Sequence, residues 1–317
     1  MKKVDFFLAG NLKSGTTTFY GLLKQHPEIY VPDYKEPKFF CTDFHRESDE
    51  YHGKQVNYPI RTLDKYHQLY ENAKEDQILG DCSPHHTYSK EAAKNIYEYN
   101  SEAKIIIFLR EPVSFLRSLH FDSLHALNET EEDFLKALEL EEMRKERKQI
   151  PEKISTPSYL YYSEWVKYKE QIKRYVDLFG NDKVKIVFLK QIIQDQAKVY
   201  KEILKFLEVK DTEFVPDFDV TKNQSKTLRF GGLFNRLKHS FVWDIITKLV
   251  PVKFYSLLNS FFEKFFFKKV SKPEISKDVL RKIKKSLLDE VKELNSYLNR
   301  KGLIDFDLVN FWGYDEL

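Results

Sequence analysis

Three short and almost uninterrupted apolar runs punctuate the chain: Val4 to Ala9, Lys104 to Leu109 and Val184 to Leu189. Runs of this length without polar alternation are the pattern of strands buried on both faces. A fourth, shorter one covers Gln77 to Gly80. Past a polar loop behind the first run, Phe19, Leu22 and Leu23 fall at i, i+3 and i+4, the spacing of one helix face. Pro112 stands just after the second run, suited to the first turn of a helix. After the third, Tyr200, Ile203, Leu204 and Leu207 repeat the helical spacing. Strands alternating with helices predict a parallel α/β sheet. Towards the C-terminus the pattern is helical: Val279, Ile283, Leu287, Val291, Leu294 and Leu298 form one stripe over 275–299. Ser271-Lys-Pro-Glu274 offers a cap for that helix and Gly302 a stop. No internal repeat, low-complexity tract or linker divides the 317 residues, so one domain over residues 1–317 is expected.

Composition narrows the classes. With 42% hydrophobic and 32% charged residues the chain can build a large core and stay soluble, which excludes intrinsic disorder. Cys41 and Cys82 are the only cysteines, too few for a disulfide framework or a multi-cysteine metal site. No His/Asp/Glu cluster has metal-ligand spacing, so no metal is expected. The N-terminal apolar stretch, Phe6 to Gly10, is too short for a secretory signal and Lys13 follows it at once. A cytoplasmic protein is the expectation.

The loop after the first strand reads Gly10-Asn-Leu-Lys-Ser-Gly-Thr-Thr-Thr18. A strand, a small-residue loop and a helix N-terminus make an anion cradle, because backbone N–H groups and the helix dipole both favour a bound phosphate. Gly10 and Gly15 have the spacing of a nucleotide-triphosphate loop, but Thr16 stands where its lysine belongs and the lysine is at position 13. A second element, Ile105-Ile-Ile-Phe-Leu-Arg110-Glu-Pro-Val-Ser-Phe-Leu-Arg-Ser118, ends a strand in arginine and places a serine eight residues on. A guanidinium grips phosphate through a fork of hydrogen bonds and a hydroxyl adds another donor.

Lys13-Ser-Gly-Thr-Thr-Thr18 resembles the 5′-phosphosulfate loop of the sulfotransferases that use 3′-phosphoadenosine-5′-phosphosulfate, and Arg110 to Ser118 resembles their 3′-phosphate element. Lys35-Glu-Pro-Lys-Phe-Phe40 is similar to the KEPHFF-type segment of the bacterial and heparan-sulfate-like branch. Gly80-Asp-Cys-Ser-Pro-His-His-Thr-Tyr88, the Tyr168 to Tyr175 helix and the closing Leu298 to Tyr314 stretch resemble further segments of that branch. The resemblance implies a P-loop-like parallel sheet flanked by helices, with a helical C-terminal part. It implies the phosphosulfate as co-substrate, held by Lys13, Ser14, Gly15, Thr16, Thr17 and Thr18 at one end and by Arg110 and Ser118 at the other. Lys226 and Arg229 resemble a late donor-clasping loop. Lys13 is the implied catalytic cation and Glu36 the implied base, with Lys38, Asp81, His85 and His86 near the acceptor. Two departures, Lys38 for histidine and Cys82 for lysine, both fall near the acceptor. The expected acceptor is a hydroxyl on a glycan, a lipid or a carrier-bound metabolite.

Net charge is only +3, but between Lys222 and Lys285 there are 16 Lys and Arg against 4 Asp and Glu. The same stretch holds an aromatic tract, Phe241 to Phe267, which Asp244, Lys248, Pro251, Lys253, Glu263 and Lys264 interrupt too often for a spanning helix. A basic-aromatic helical insertion around 222–270 is expected, broken at Pro251. It either packs on the sheet or forms an amphipathic lid with a peripheral membrane contact. Basic charge without a reading motif does not predict nucleic-acid binding. Two alternatives stay open at this point: a kinase-like phosphotransferase, against which Thr16 speaks, and a non-catalytic binder of nucleotides or anionic polymers.

Overall fold

The structure, a computed structural model, describes residues 2–219 and 275–316, together with the backbone of the short strands Lys226–Leu228 and Phe267–Lys269. Its centre is a parallel five-stranded sheet of β1 (Phe6–Gly10), β2 (Ile29–Tyr30), β3 (Ile78–Asp81), β4 (Lys104–Leu109) and β5 (Val184–Phe188). The order across the sheet is β2-β3-β1-β4-β5, which puts β1 in the middle. Four of these strands match the apolar runs; the two-residue β2 carries no pattern long enough to read.

Both faces of the sheet are covered. Phe6, Leu8, Ile106 and Phe108 point to one core with α1 (Thr16–Leu23) and α11 (Gln196–Leu207). Phe7, Ala9, Ile105, Ile107 and Leu109 point to the other. That second core takes residues from α2 (Thr42–His52), α3 (Leu63–Gln68), α4 (Ala92–Tyr99), α5 (Pro112–His125) and α9 (Tyr168–Phe179). Short helices α6 (Phe134–Glu139), α7 (Glu141–Lys145), α8 (Tyr162–Trp165) and α10 (Leu189–Gln194) lie in the connections. Burial on both sides explains why period-2 alternation is invisible in β1 and β4: each strand alternates between two apolar cores rather than between core and water.

Pro112 occupies the first turn of α5, as expected, and Glu111 caps that helix by accepting from Val113 N at 3.1 Å and Ser114 N at 2.8 Å. The C-terminal helix differs from the single stripe over 275–299. It is two helices, α12 (Lys277–Ser286) and α13 (Leu288–Arg300), followed by α14 (Leu308–Phe311). The break falls at Leu287, whose φ of −102° and ψ of 0° leave the helical basin. Ser276 caps α12 by accepting from Val279 N. The Ser271-Lys-Pro-Glu274 signal lies outside the described residues. Gly302 ends α13 with φ +66°, and Leu303 N returns to Leu298 O at 2.9 Å.

The basic-aromatic segment around 222–270 lies outside the described residues except for its two strands. Those, β6 (Lys226–Leu228) and β7 (Phe267–Lys269), pair antiparallel with Lys226 opposite Lys269. The helical pieces expected around Pro251, and the lid or membrane contact built on them, fall among the residues left undescribed. Among the described residues no helix is long and apolar enough to cross a membrane.

Candidate active site

A cavity of about 760 Å³ opens where β1 and β4 end and α1 and α5 begin. This is the carboxyl edge of a parallel sheet, where open α/β folds gather their ligand-binding loops. Its walls bring together Lys13, Gly15, Thr16, Thr17, Thr18, Glu36, Lys38, His85, Arg110 and Ser118. These positions are scattered over more than a hundred residues of sequence and converge only in the fold.

The β1–α1 loop is shaped for an anion. Gly15 precedes α1 with φ +103°, a left-handed value that disfavours any side chain, and a Cβ there would meet Ile192 Cδ1 at 3.1 Å. No side chain caps α1, which leaves its first-turn N–H groups available to an anion, and Thr16, Thr17 and Thr18 of that turn line the cavity. Ser14 is different: it is buried, its Oγ donates back to Leu12 O at 3.1 Å, and it is not part of the wall. Lys13 has φ +56° and sends its Nζ to Asp122 Oδ1 at 2.6 Å.

The β4–α5 turn supplies the other end. Arg110 donates from a terminal nitrogen to Lys13 O at 3.1 Å, which ties the two loops together. Burial draws its guanidinium below the usual arginine range without threatening its charge. Two residues from later in the chain brace this turn: Tyr168 OH donates to Arg110 O at 3.1 Å and Tyr314 OH to Glu111 Oε1 at 2.7 Å. Ser118 lies on α5, two turns in, and lines the cavity.

Glu36 lines the same cavity. Its φ of +60° and that of Lys38, +52°, turn both side chains into the cavity, at a backbone cost of order 1 kcal/mol each. One carboxylate oxygen lies 2.9 Å from Lys35 Nζ; the other lies 3.9 Å from Lys38 Nζ and 3.6 Å from His85 Nδ1. Lys35 also donates to Thr17 Oγ1 at 2.8 Å, so it bridges the α1 loop to Glu36. Burial lowers the Lys38 ammonium, with Glu36 pulling the other way. Burial also pushes His85 well below the usual histidine value, and the Lys38 charge adds to that.

Asp81 and His86 stand behind this wall rather than in it. Asp81 is fully buried and accepts from Ser83 Oγ at 2.7 Å and Tyr66 OH at 2.8 Å. Burial raises its carboxyl to about 6 against the pull of those hydroxyls. Through Ser83, which accepts from Lys38 N at 3.2 Å, Asp81 supports the Glu36 loop from behind. His86 is wedged beside Phe7 and Phe40, with neither ring nitrogen hydrogen-bonded, and burial lowers its imidazole to about 3. The pair therefore divides, one histidine in the wall and one in the core. Of Lys226 only the backbone is described, and Arg229 lies outside the described residues.

The fold also adds residues that motif reading passed over: Asp122, His125, Asn128, Tyr159 and Trp165 all line the cavity. A helical wheel begun at Pro112 would have found Asp122, which follows Ser118 by four residues on one face of α5. Tyr159 and Trp165 carry no such signal, because a short 3₁₀ turn and α8 bring them in from a distant loop. Among the described residues no group of three His, Cys, Asp or Glu could hold a metal ion.

A family model described as a sulfotransferase domain matches residues 3–230. The chain belongs to the sulfotransferase family. A solved sulfotransferase from Alicyclobacillus acidocaldarius is 30% identical, covers 71% of this chain and 87% of its own, and superposes with a TM-score of 0.61. A membrane-associated sulfotransferase of Dictyostelium discoideum, kil1, is 28% identical over 118 residues; the match covers 37% of this chain and only 22% of that protein. The resemblance read from the Lys13 and Arg110 motifs is thus borne out at the level of family and fold, and a kinase-like phosphotransferase is set aside.

Proposed function

We propose that this sulfotransferase takes the sulfuryl group of 3′-phosphoadenosine-5′-phosphosulfate and delivers it to a hydroxyl on a glycan, lipid or carrier-bound acceptor. The observation that carries this reading is the single cavity shared by the uncapped N-terminus of α1, Lys13, the Arg110–Ser118 pair and the Glu36 carboxylate that Lys35 and Lys38 flank. A bisphosphorylated nucleotide needs two anion sites some distance apart, and the Lys13 loop and the Arg110 turn offer both. The left-handed Gly15, whose φ of +103° disfavours any side chain, fits a loop whose backbone approaches a phosphate closely.

In this reading the acceptor oxygen attacks sulfur while the bond from sulfur to the bridging phosphate oxygen breaks. Negative charge grows on the departing 5′-phosphate, and Lys13 with the α1 N–H groups neutralises it. The acceptor's proton passes to Glu36, whose carboxylate Lys35 and Lys38 hold against the cavity. Lys38, His85, Tyr159 and Trp165 form the wall on which an acceptor would lie, and Asp81 acts only through Ser83 and the Lys38 backbone. No metal is needed where fixed cations supply the charge.

Two measurements test this. Adenosine 3′,5′-bisphosphate should raise the melting temperature in a metal-free buffer, and ATP with magnesium should do much less. Labelled sulfate should then move from the donor to at least one member of a panel of hydroxyl acceptors. A folded protein whose melting is indifferent to the bisphosphate would end the donor assignment.

A further inference from the structure

A cavity suited to a polyanion contains a second carboxylate besides Glu36. Asp122 lines the cavity, and its Oδ1 accepts from Lys13 Nζ at 2.6 Å across 109 residues of sequence. Two features of the fold set this contact. The Lys13 backbone is held from the far side, because its carbonyl accepts from Arg110 at 3.1 Å. Asp122 stands one helical turn beyond Ser118 on α5, so a carboxylate and the hydroxyl expected at the 3′-phosphate share one helix face.

A carboxylate so placed occupies the ammonium that an incoming phosphosulfate needs. The Lys13 and Asp122 side chains are 35% and 46% exposed, so water screens the pair and an exchange of partners costs little. We infer that Asp122 is a positioning residue that holds Lys13 across the cavity in the nucleotide-free protein and competes with the nucleotide's 5′-phosphate for the same ammonium. This rests on the donor reading above. Donor entry transfers Lys13 from the carboxylate to the phosphate. As the bisphosphate product leaves, Lys13 returns to Asp122, and that competition speeds release.

The test is a double-mutant cycle read by calorimetric binding of adenosine 3′,5′-bisphosphate to wild type, Asp122→Asn, Lys13→Met and the double variant. Asp122→Asn should bind about three- to tenfold more tightly at low salt, and the gain should shrink as salt screens the cavity. In the Lys13→Met background most of that gain should vanish, an outcome a purely structural aspartate would not produce. Asp122→Ser serves as a second variant, and melting temperatures confirm that each protein is folded. An unchanged or weaker affinity in both Asp122 variants overturns the inference, as does an equal gain with and without Lys13. Wild type that is folded but does not bind the bisphosphate brings down the donor reading and this inference with it. Binding by wild type without the cycle's signature brings down this inference alone.

Discussion

Glu36→Gln separates chemistry from binding more cleanly than any other substitution at this site. Glutamine keeps the shape and one accepting oxygen but cannot take a proton. Loss of a general base typically slows turnover by about 10²–10⁴-fold, which is roughly 3–5 kcal/mol on the barrier. The folded state should suffer much less. The 2.9 Å pair with Lys35 is partly exposed and worth about 1 kcal/mol at most. The Lys38 ammonium, 3.9 Å away, loses a countercharge that was already distant. The melting temperature should therefore fall by only a few degrees, and bisphosphate affinity should change little, since Glu36 is neither in the α1 loop nor in the Arg110 turn. Sulfate transfer at saturating donor, with melting and bisphosphate binding measured on the same preparation, gives the three numbers. Turnover within about threefold of wild type would refute the assignment of the proton to Glu36. His85 would then be the next candidate, because its Nδ1 lies 3.6 Å from the same carboxylate and it lines the cavity.

Arg110→Ala should abolish discrimination between the 3′,5′-bisphosphate and the 5′-monophosphate in calorimetry; intact discrimination would show that Arg110 does not read the 3′ end. His86 bears on pH. Its imidazole is held at about 3, against an ordinary value near 6.5, so on acidification the unfolded chain takes the proton first and stability drains away from about pH 6.5 downwards. That amounts to roughly 3 kcal/mol between pH 7 and pH 4. His86→Leu should flatten this limb in urea unfolding, and a variant as acid-sensitive as wild type would refute the attribution. Tyr314→Phe removes the 2.7 Å hydrogen bond to Glu111 and should cost about 1 kcal/mol of stability. Because Glu111 adjoins Arg110, bisphosphate binding should weaken too; unaltered binding would mean that the C-terminal brace does not reach the site.

Much of this protein was decided locally, within the reach of a sequence pattern. The apolar runs that become β1, β4 and β5 specify buried parallel strands because a strand covered on both faces has no polar side to display. Lys13 to Thr18 and Arg110 to Ser118 could be read as anion sites because each is a strand end, a turn and a helix start, geometry that a dozen consecutive residues determine. The tertiary structure decided whatever depends on side chains from distant segments meeting. Asp81 and Glu36 are both acidic residues in motif-like segments, yet one is sealed behind Ser83 and Tyr66 and the other faces the cavity. His85 and His86 are neighbours in sequence and opposites in environment, because consecutive side chains in that turn point to the cavity and to the Phe7–Phe40 core. The Lys13–Asp122 contact spans 109 residues, and no local pattern encodes a distance. Burial and charge separation are properties of the packed chain, so they assign roles among residues whose chemistry the sequence can only nominate.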